Sequence, residues 1–171
     1  MDDTQDEKDS KAGEMATNRT KTNTFPLLTT IYEVARVAEA TLNAVLAPIS
    51  LSTAQWSILH VIDEHPGIAG ATIARQGRVS PAAVTTMLQR LEATGLIERH
   101  AQPHGRVLET YLTSSGHERL QAGDAIVKEV EQHLCAIPDE RDLVQILTAM
   151  KQFITTLNAL EKSDAEERGG E

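Results

Sequence analysis

The stretch that decides the fold is residues 79–95, VSPAAVTTMLQRLEATG. Ser80 predicts the start of a helix, because its hydroxyl can accept a hydrogen bond from a first-turn amide and Pro81 suits the first helical position. Gly95 predicts its end, because glycine readily adopts the left-handed conformation that closes a helix. Between them, apolar residues recur at steps of three and four, so we expect one buried face of Val84, Met87, Leu88 and Leu91.

The opposite face of this predicted helix is small, neutral and able to form hydrogen bonds. It carries Ala82, Thr85, Thr86, Gln89 and Ala93. Because a solvated helix face normally carries charged residues, this composition is typical of a helix that approaches another molecule closely. We interpret that molecule as double-stranded DNA, with the helix lying in its major groove.

A second short helical pattern precedes this helix over residues 69–76, and Gly77-Arg78-Val79 predicts a tight turn at its end. Two helices joined by a three- or four-residue turn that contains glycine form a helix-turn-helix, whose second helix enters the groove. The chain therefore contains a candidate DNA-reading unit.

Two strand-like segments, 96–100 and 107–112, follow Gly95 and flank a loop that contains Pro103, Gly105 and Arg106. A hairpin with an arginine near its tip, directly after a helix-turn-helix, predicts a winged helix. The predicted fold class is mainly α with a small β-hairpin wing.

The order and spacing of many separate residues resemble the MarR family of winged-helix transcriptional regulators over about positions 25–160. The residues that carry the resemblance are Leu51-Ser52-Thr53-Ala54-Gln55, Ile73-Ala74, Val84-Thr85, Arg90-Leu91-Glu92, Gly95-Leu96-Ile97, Arg99, Arg106 and Leu112-Thr113. The resemblance implies a dimeric repressor that a small ligand, for example an aromatic or phenolic one, releases from DNA.

The composition agrees with a mainly helical protein, because 40% of the 171 residues are hydrophobic and only 3% are aromatic. No apolar run is long enough to cross a bilayer, and the acidic N-terminus does not resemble a signal peptide. We therefore expect a cytoplasmic protein with no membrane partner.

The net charge of −9 is located outside the predicted reading head. Residues 50–115 contain five acidic and five basic residues, whereas residues 116–171 contain twelve acidic and six basic ones. All five bases of the head are arginines, which suit phosphate, guanine and narrow minor grooves.

Both ends of the chain predict amphipathic helices with more apolar surface than one small winged helix can cover. The economical arrangement is a two-fold homodimer, with one reading head for each half of a pseudo-palindromic operator. An intramolecular bundle in a monomer is the alternative. The predicted organisation is a mobile polar tail (1–22), an N-terminal dimerisation helix (23–49), a winged helix-turn-helix DNA-binding domain (50–113), C-terminal dimerisation helices (114–162) and a polar tail (163–171).

The expected DNA contacts divide by chemistry. Thr85, Thr86 and Gln89 are candidates for base edges. Ser80 and the amides at the start of the helix that Pro81 opens are expected to hold a phosphate. Arg78 and Arg99 are candidates for phosphate contacts, and Arg106 is a candidate for the minor groove. Arg90 is a further candidate for a DNA contact, with an ordinary surface residue as the alternative. Three phosphate contacts per protomer predict a log–log salt slope of roughly −5 for a dimer.

The effector site implied by the resemblance lies between the dimer helices and the winged helix. Candidate residues there are Tyr32 and Arg36 on the first helix, and Trp56 and His60 four residues apart on the second. Arg36 could pair with an anionic aromatic ligand and Trp56 could stack on it. Core packing is the simpler role for Trp56, as is a satisfied half-buried side chain for His60.

Other functions have less support in the sequence. Cys135 could act as a redox sensor, but no second cysteine and no neighbouring cation accompany it, so a buried structural thiol is the simpler interpretation. The scattered histidines predict no metal, and no nucleophile, phosphate-loop or dinucleotide motif predicts an enzyme or a cofactor. A winged helix that binds protein instead of DNA remains the main alternative.

Overall fold

The structure, a computed structural model, describes residues 25–101 and 108–168, and only the backbone of residues 162 and 164–168. Its elements are α1 (Pro26–Leu46), a 3-10 turn (Ala47–Ile49), α2 (Thr53–Glu64), β1 (Ile68–Ala69), α3 (Gly70–Gly77), α4 (Pro81–Ala93), β2 (Ile97–Ala101), β3 (Leu108–Leu112), α5 (Ser114–Cys135) and α6 (Glu140–Arg168). The chain divides into two units, Met1–Thr41 and Leu42–Glu171.

The second unit contains the predicted winged helix. Strands β2 and β3 pair antiparallel from Ile97 with Leu112 to Ala101 with Leu108. β1 adds a third strand on the other edge of β3, so the sheet order is β1-β3-β2. The mainly helical fold with a hairpin wing is confirmed, whereas β1, only two residues long, was missed because so short a segment shows no alternation.

The apolar face of α4 is buried as predicted. Val84 and Leu88 are each 2% exposed and Leu91 is 0% exposed, and Met87 packs partly buried against the same core. α4 packs against α3 and β2, and Leu88 approaches Gly70 at the start of α3. This burial fixes which face of the helix points away from the core.

Gly95 ends α4 with a φ of +71°, as the sequence predicted. Its amide donates to the carbonyl of Glu92 over 2.9 Å, and the Leu96 amide donates to the carbonyl of Leu91 over 3.0 Å. The Thr113 hydroxyl donates to the Gly95 carbonyl over 2.7 Å and accepts from the Gly116 amide over 3.0 Å. The start of α5 is thereby tied to the end of α4.

Among the described residues, no single helix is long and apolar enough to cross a membrane. One bent pair, Pro26–Ile49 with Thr53–Glu64, meets that test only when its two helices are taken together.

Helix α5 packs closely on α2 at Gly123. A β-carbon at this position would lie 2.8 Å from Cδ1 of Trp56 and 3.6 Å from Cδ2 of Leu46. The glycine therefore permits a close approach between the two helices that a larger residue would prevent.

We predict that Gly123→Ala lowers the free energy of unfolding by about 1–3 kcal/mol, because the added methyl group overpacks against the Trp56 ring. The matched control is Gly77→Ala, where the new β-carbon meets Val79 at an ordinary 3.5 Å. The control should be neutral or stabilising by up to about 1 kcal/mol, since alanine favours a helix over glycine. Urea denaturation of both variants measures the difference, and equal effects would contradict the close-approach argument.

Candidate nucleic-acid interface

The start of α4 is a capped helix N-terminus. Ser80 is the N-cap, with its hydroxyl accepting from the Ala83 amide over 3.2 Å, and Pro81 occupies the first turn as predicted. No acidic residue stands in that first turn. The partial positive charge of the helix N-terminus is therefore available to an anion such as a phosphate.

The three candidate base-contact residues are all exposed on the face of α4 opposite the core. The hydroxyl groups of Thr85 and Thr86 donate to the carbonyls of Pro81 and Ala82, over 2.8 and 3.0 Å. Because their protons are used within the helix, these threonines can offer acceptor lone pairs and methyl groups to a base edge. Gln89 completes the face with an amide that can both donate and accept.

The structure uses Arg99 differently from the sequence expectation. Its Nε and Nη2 donate to Oε2 of Glu92, over 3.0 and 2.5 Å, and its side chain is only 15% exposed. The guanidinium is therefore neutralised between β2 and the last turn of α4. The pairing of Glu92 with Arg99 could not be predicted from the sequence, because it depends on the turn at Gly95 that brings the two residues together.

The other arginines differ in whether their side chains are exposed and already paired within the protein. Arg90 is exposed in the last turn of α4, and Arg75 is exposed on α3, where it donates to the Thr72 hydroxyl over 3.4 Å. Arg78 caps α3 with a φ of +51° and contacts Asn158 and Glu161 on α6. Arg106 of the predicted minor-groove contact lies outside the described residues.

Two of the predicted effector residues form one polar cluster with Asp124, which was not predicted from the sequence. Oδ1 of Asp124 on α5 accepts from Nε1 of Trp56 over 2.8 Å and lies 2.7 Å from Nε2 of His60. The two rings meet edge to face at a centroid distance of 4.8 Å. A second pair, Asp63 with His117 at 3.2 Å, joins the same two helices. The polar groups of Trp56 and His60 thus already have a protein partner.

Tyr32 and Arg36 belong to the first unit, on the part of α1 before Leu42. Tyr32 is 76% exposed and Arg36 is also exposed, so both side chains are accessible.

Cys135 is half-buried, not buried as the sequence suggested. Desolvation raises the pKa of its thiol, and so does Glu131, whose carboxylate accepts from the thiol over 3.5 Å. Both effects lower the thiolate fraction near neutral pH, which works against easy oxidation. Within the described ranges, no three His, Cys, Asp or Glu side chains cluster closely enough to hold a metal ion.

Comparison with known proteins identifies a family with a similar sequence over this part of the chain. Residues 49–106 match the model of the MarR family. The winged helix of this chain is similar to that of the MarR family. The matched range runs from the turn before α2 to the wing loop, so it includes the capped helix α4 and its partners.

Relatives of this chain extend the similarity beyond the matched range. The HTH-type transcriptional repressor Rv2887 of Mycobacterium tuberculosis is 29% identical over 126 residues, which cover 71% of this chain and 91% of the relative. Its structure in complex with salicylic acid aligns with a TM-score of 0.61 at 26% identity, covering 75% of this chain and 96% of the other.

Escherichia coli MarR, in its apo form, aligns with a TM-score of 0.66 at 25% identity, with 75% of this chain and 96% of the other covered. A mutant of the same protein complexed with operator DNA aligns with a TM-score of 0.69 at 25% identity, with 75% and 93% covered.

We predict that Asp124→Ala lowers the free energy of unfolding by about 1–3 kcal/mol, because it leaves the Trp56 and His60 nitrogens without their acceptor. Asp124→Asn should retain most of the stability, since its carbonyl oxygen can still accept from the indole. Trp56 is the one tryptophan of the chain, so its fluorescence reports directly on the contact between α2 and α5. Identical unfolding curves for wild type and Asp124→Ala would show that the cluster contributes nothing.

Proposed function

We propose that this chain is a sequence-specific, DNA-binding transcriptional repressor that acts as a homodimer and leaves its operator when a small aromatic ligand binds. The observation that carries the proposal is the orientation of α4. Its aliphatic side is buried, its capped N-terminus is free of acidic residues, and Thr85, Thr86 and Gln89 face outward. Such a helix fits the major groove, where amide and methyl groups can read base edges.

The comparisons support the DNA-binding part of the proposal. A relative named as a transcriptional repressor and a related structure complexed with operator DNA share this fold with the chain. The alternative, a winged helix that binds only protein, gives no reason for an outward face of α4 without a glutamate before Glu92.

A second copy of the chain is the partner that the exposed apolar surface favours. Helix α6 exposes large aliphatic side chains over most of its length: Val144, Ile146, Leu147, Met150, Ile154, Leu157 and Leu160, each at least 41% exposed. Monomeric proteins rarely expose so continuous an apolar patch. We therefore assign 23–49 and 114–162 to dimerisation and 50–113 to DNA binding, as the sequence predicted.

The proposed DNA contacts are the base-edge residues Thr85, Thr86 and Gln89, and the phosphate and groove residues Ser80, Pro81, Arg78, Arg90 and Arg106. Arg99 is better described as a positioning residue, since its pair with Glu92 joins the wing strand to α4. Arg78, Arg90 and Arg106 still give three cationic contacts per head without Arg99, so the expected salt slope of a dimer remains roughly −5.

We predict that Gln89→Ala weakens binding to the operator in the DNA upstream of the gene by about 1–3 kcal/mol per half-site, because a bidentate base contact is lost. Binding to unrelated DNA should stay unchanged. Fluorescence anisotropy at several salt concentrations measures both effects and the slope, with Gln132→Ala on α5 as the matched control. A uniform loss on all sequences would contradict a base-reading role, and a flat salt dependence would contradict phosphate binding.

The proposed effector is an anionic aromatic molecule, and the contacts that the sequence predicts for it are Tyr32 and Arg36 on α1 and Trp56 and His60 on α2. Support comes from the structure of the mycobacterial relative in complex with salicylic acid and from the accessible guanidinium of Arg36. Because Asp124 already holds the Trp56 and His60 nitrogens, the ligand must either stack on these rings or displace that carboxylate.

We predict that salicylic acid changes the fluorescence of Trp56 and weakens operator binding over the same concentration range. Arg36→Ala should lower the affinity for salicylic acid about tenfold or more, because a hydrogen bond between charged groups contributes about 1.5–3 kcal/mol. Arg141→Ala removes the same charge from α6 and serves as the control. A ligand response that survives Arg36→Ala unchanged would place the anion elsewhere.

A further inference from the structure

The turn between α3 and α4 contains an arginine in an unusual backbone conformation. Arg78 has a φ of +51° and is one of two non-glycine residues with positive φ in the described part of the chain, the other being Ser50. A side chain at positive φ is strained relative to glycine, and Gly77, immediately before it, does not take this conformation. Strained residues persist where surrounding contacts hold them, and they cluster at functional positions.

The contacts that hold Arg78 come from the far end of the chain. Its Nη2 donates to Oδ1 of Asn158 over 2.7 Å, and its Nη1 lies 2.8 Å from Oε2 of Glu161. The two acceptors are three residues apart on α6, so they share one face of that helix. Two different nitrogens of one guanidinium are therefore engaged by one helix, which fixes its plane and direction.

The position of this contact matters because Arg78 lies two residues before Ser80, the N-cap of the proposed reading helix. In the observed arrangement its charge is paired with the carboxylate of Glu161 instead of being open to phosphate. A carboxylate and a phosphate oxygen compete for the same N–H donors, so a phosphate that uses Nη1 of Arg78 must displace Glu161.

We propose that Asn158 and Glu161 form a clasp that withholds Arg78 from DNA in the free protein, so that binding exchanges the Glu161 carboxylate for a backbone phosphate. This inference rests on the proposed function, and it adds a route by which the position of α6 controls the affinity of the reading head. A conformation that draws α6 against the turn weakens DNA binding, and one that moves α6 away strengthens it.

The size of the effect follows from the exposure of the pair. The side chains of Arg78 and Glu161 are 55% and 62% exposed, so the clasp is an exposed ion pair of modest strength that salt screens. Releasing it in both heads of a dimer should raise DNA affinity about three- to tenfold at low salt. The gain should decline toward unity as the salt concentration rises.

The test measures the affinity of the full chain for the DNA upstream of its gene, by fluorescence anisotropy from low to high salt. Glu161→Gln should bind about three- to tenfold more tightly than wild type at low salt. Glu129→Gln, on the exposed surface of α5, changes the net charge by the same amount and should bind like wild type.

A second variant removes the guanidinium without straining the turn. Arg78→Gly relieves the positive φ, so the protein should fold at least as stably as wild type. It should bind DNA more weakly and with a salt slope that is less steep by about 0.9 per head. In this background Glu161→Gln should have no effect, because the clasp has lost its other half.

The outcomes separate the clasp from the function on which it rests. If wild type binds the DNA but Glu161→Gln matches Glu129→Gln, or keeps its gain in the Arg78→Gly background, the clasp is wrong and the DNA-binding function stands. If wild type does not bind the DNA at any salt concentration, the proposed function fails and the clasp fails with it.

Discussion

The burial of one side of α4 is the interaction on which the rest of this molecule depends. Val84, Leu88 and Leu91 insert into a core made by α3 and the sheet, and each is at most 2% exposed. Rotating the helix by a single residue would bring a polar side chain into that core, which is costly without a hydrogen-bond partner. The aliphatic side therefore determines the orientation of the polar side. The proposed recognition of DNA is a consequence of core packing.

A second constraint is the contact between α2, in the proposed DNA-binding domain, and α5, in the proposed dimerisation region. Helix α5 meets α2 where Gly123 lets the Trp56 ring approach, and Asp124 accepts from that ring and contacts His60. Carboxylate hydrogen bonds in a half-buried site are directional, so they define a preferred angle between the helices. Any ligand that disturbs this cluster would act on the orientation of the reading head. The effector proposal thus has a mechanical basis in the α2–α5 junction.

The number of arginines in residues 50–115 overstates the number of cations that are open to DNA in the folded chain. The sequence contains five arginines between positions 50 and 115, four of which were candidates for DNA contacts. Folding commits Arg99 to Glu92 and places Arg78 against Asn158 and Glu161, which reduces the number of cations that are open to DNA. The acidic C-terminal part is therefore more than a solvated surface, since one of its carboxylates contacts the turn before α4.

The amino-acid sequence by itself determined the local elements. The Ser80 cap, the stop at Gly95, the buried stripe of α4 and the hairpin after it all follow from spacing and backbone preference, which depend only on near neighbours along the chain. The two-residue strand β1 was not predicted, because so short a segment shows no alternation of apolar and polar residues.

Only the tertiary structure decided which polar groups meet. Trp56 lies 68 residues from Asp124 along the chain, and Arg78 lies 80 residues from Asn158. Pairings at that separation depend on how whole helices pack, and a long polar side chain at a helix surface gives no sign of its partner. Sequence reasoning could therefore name the helices and the reading face, but it could not find Asp124 or see that Arg99 and Arg78 were already engaged.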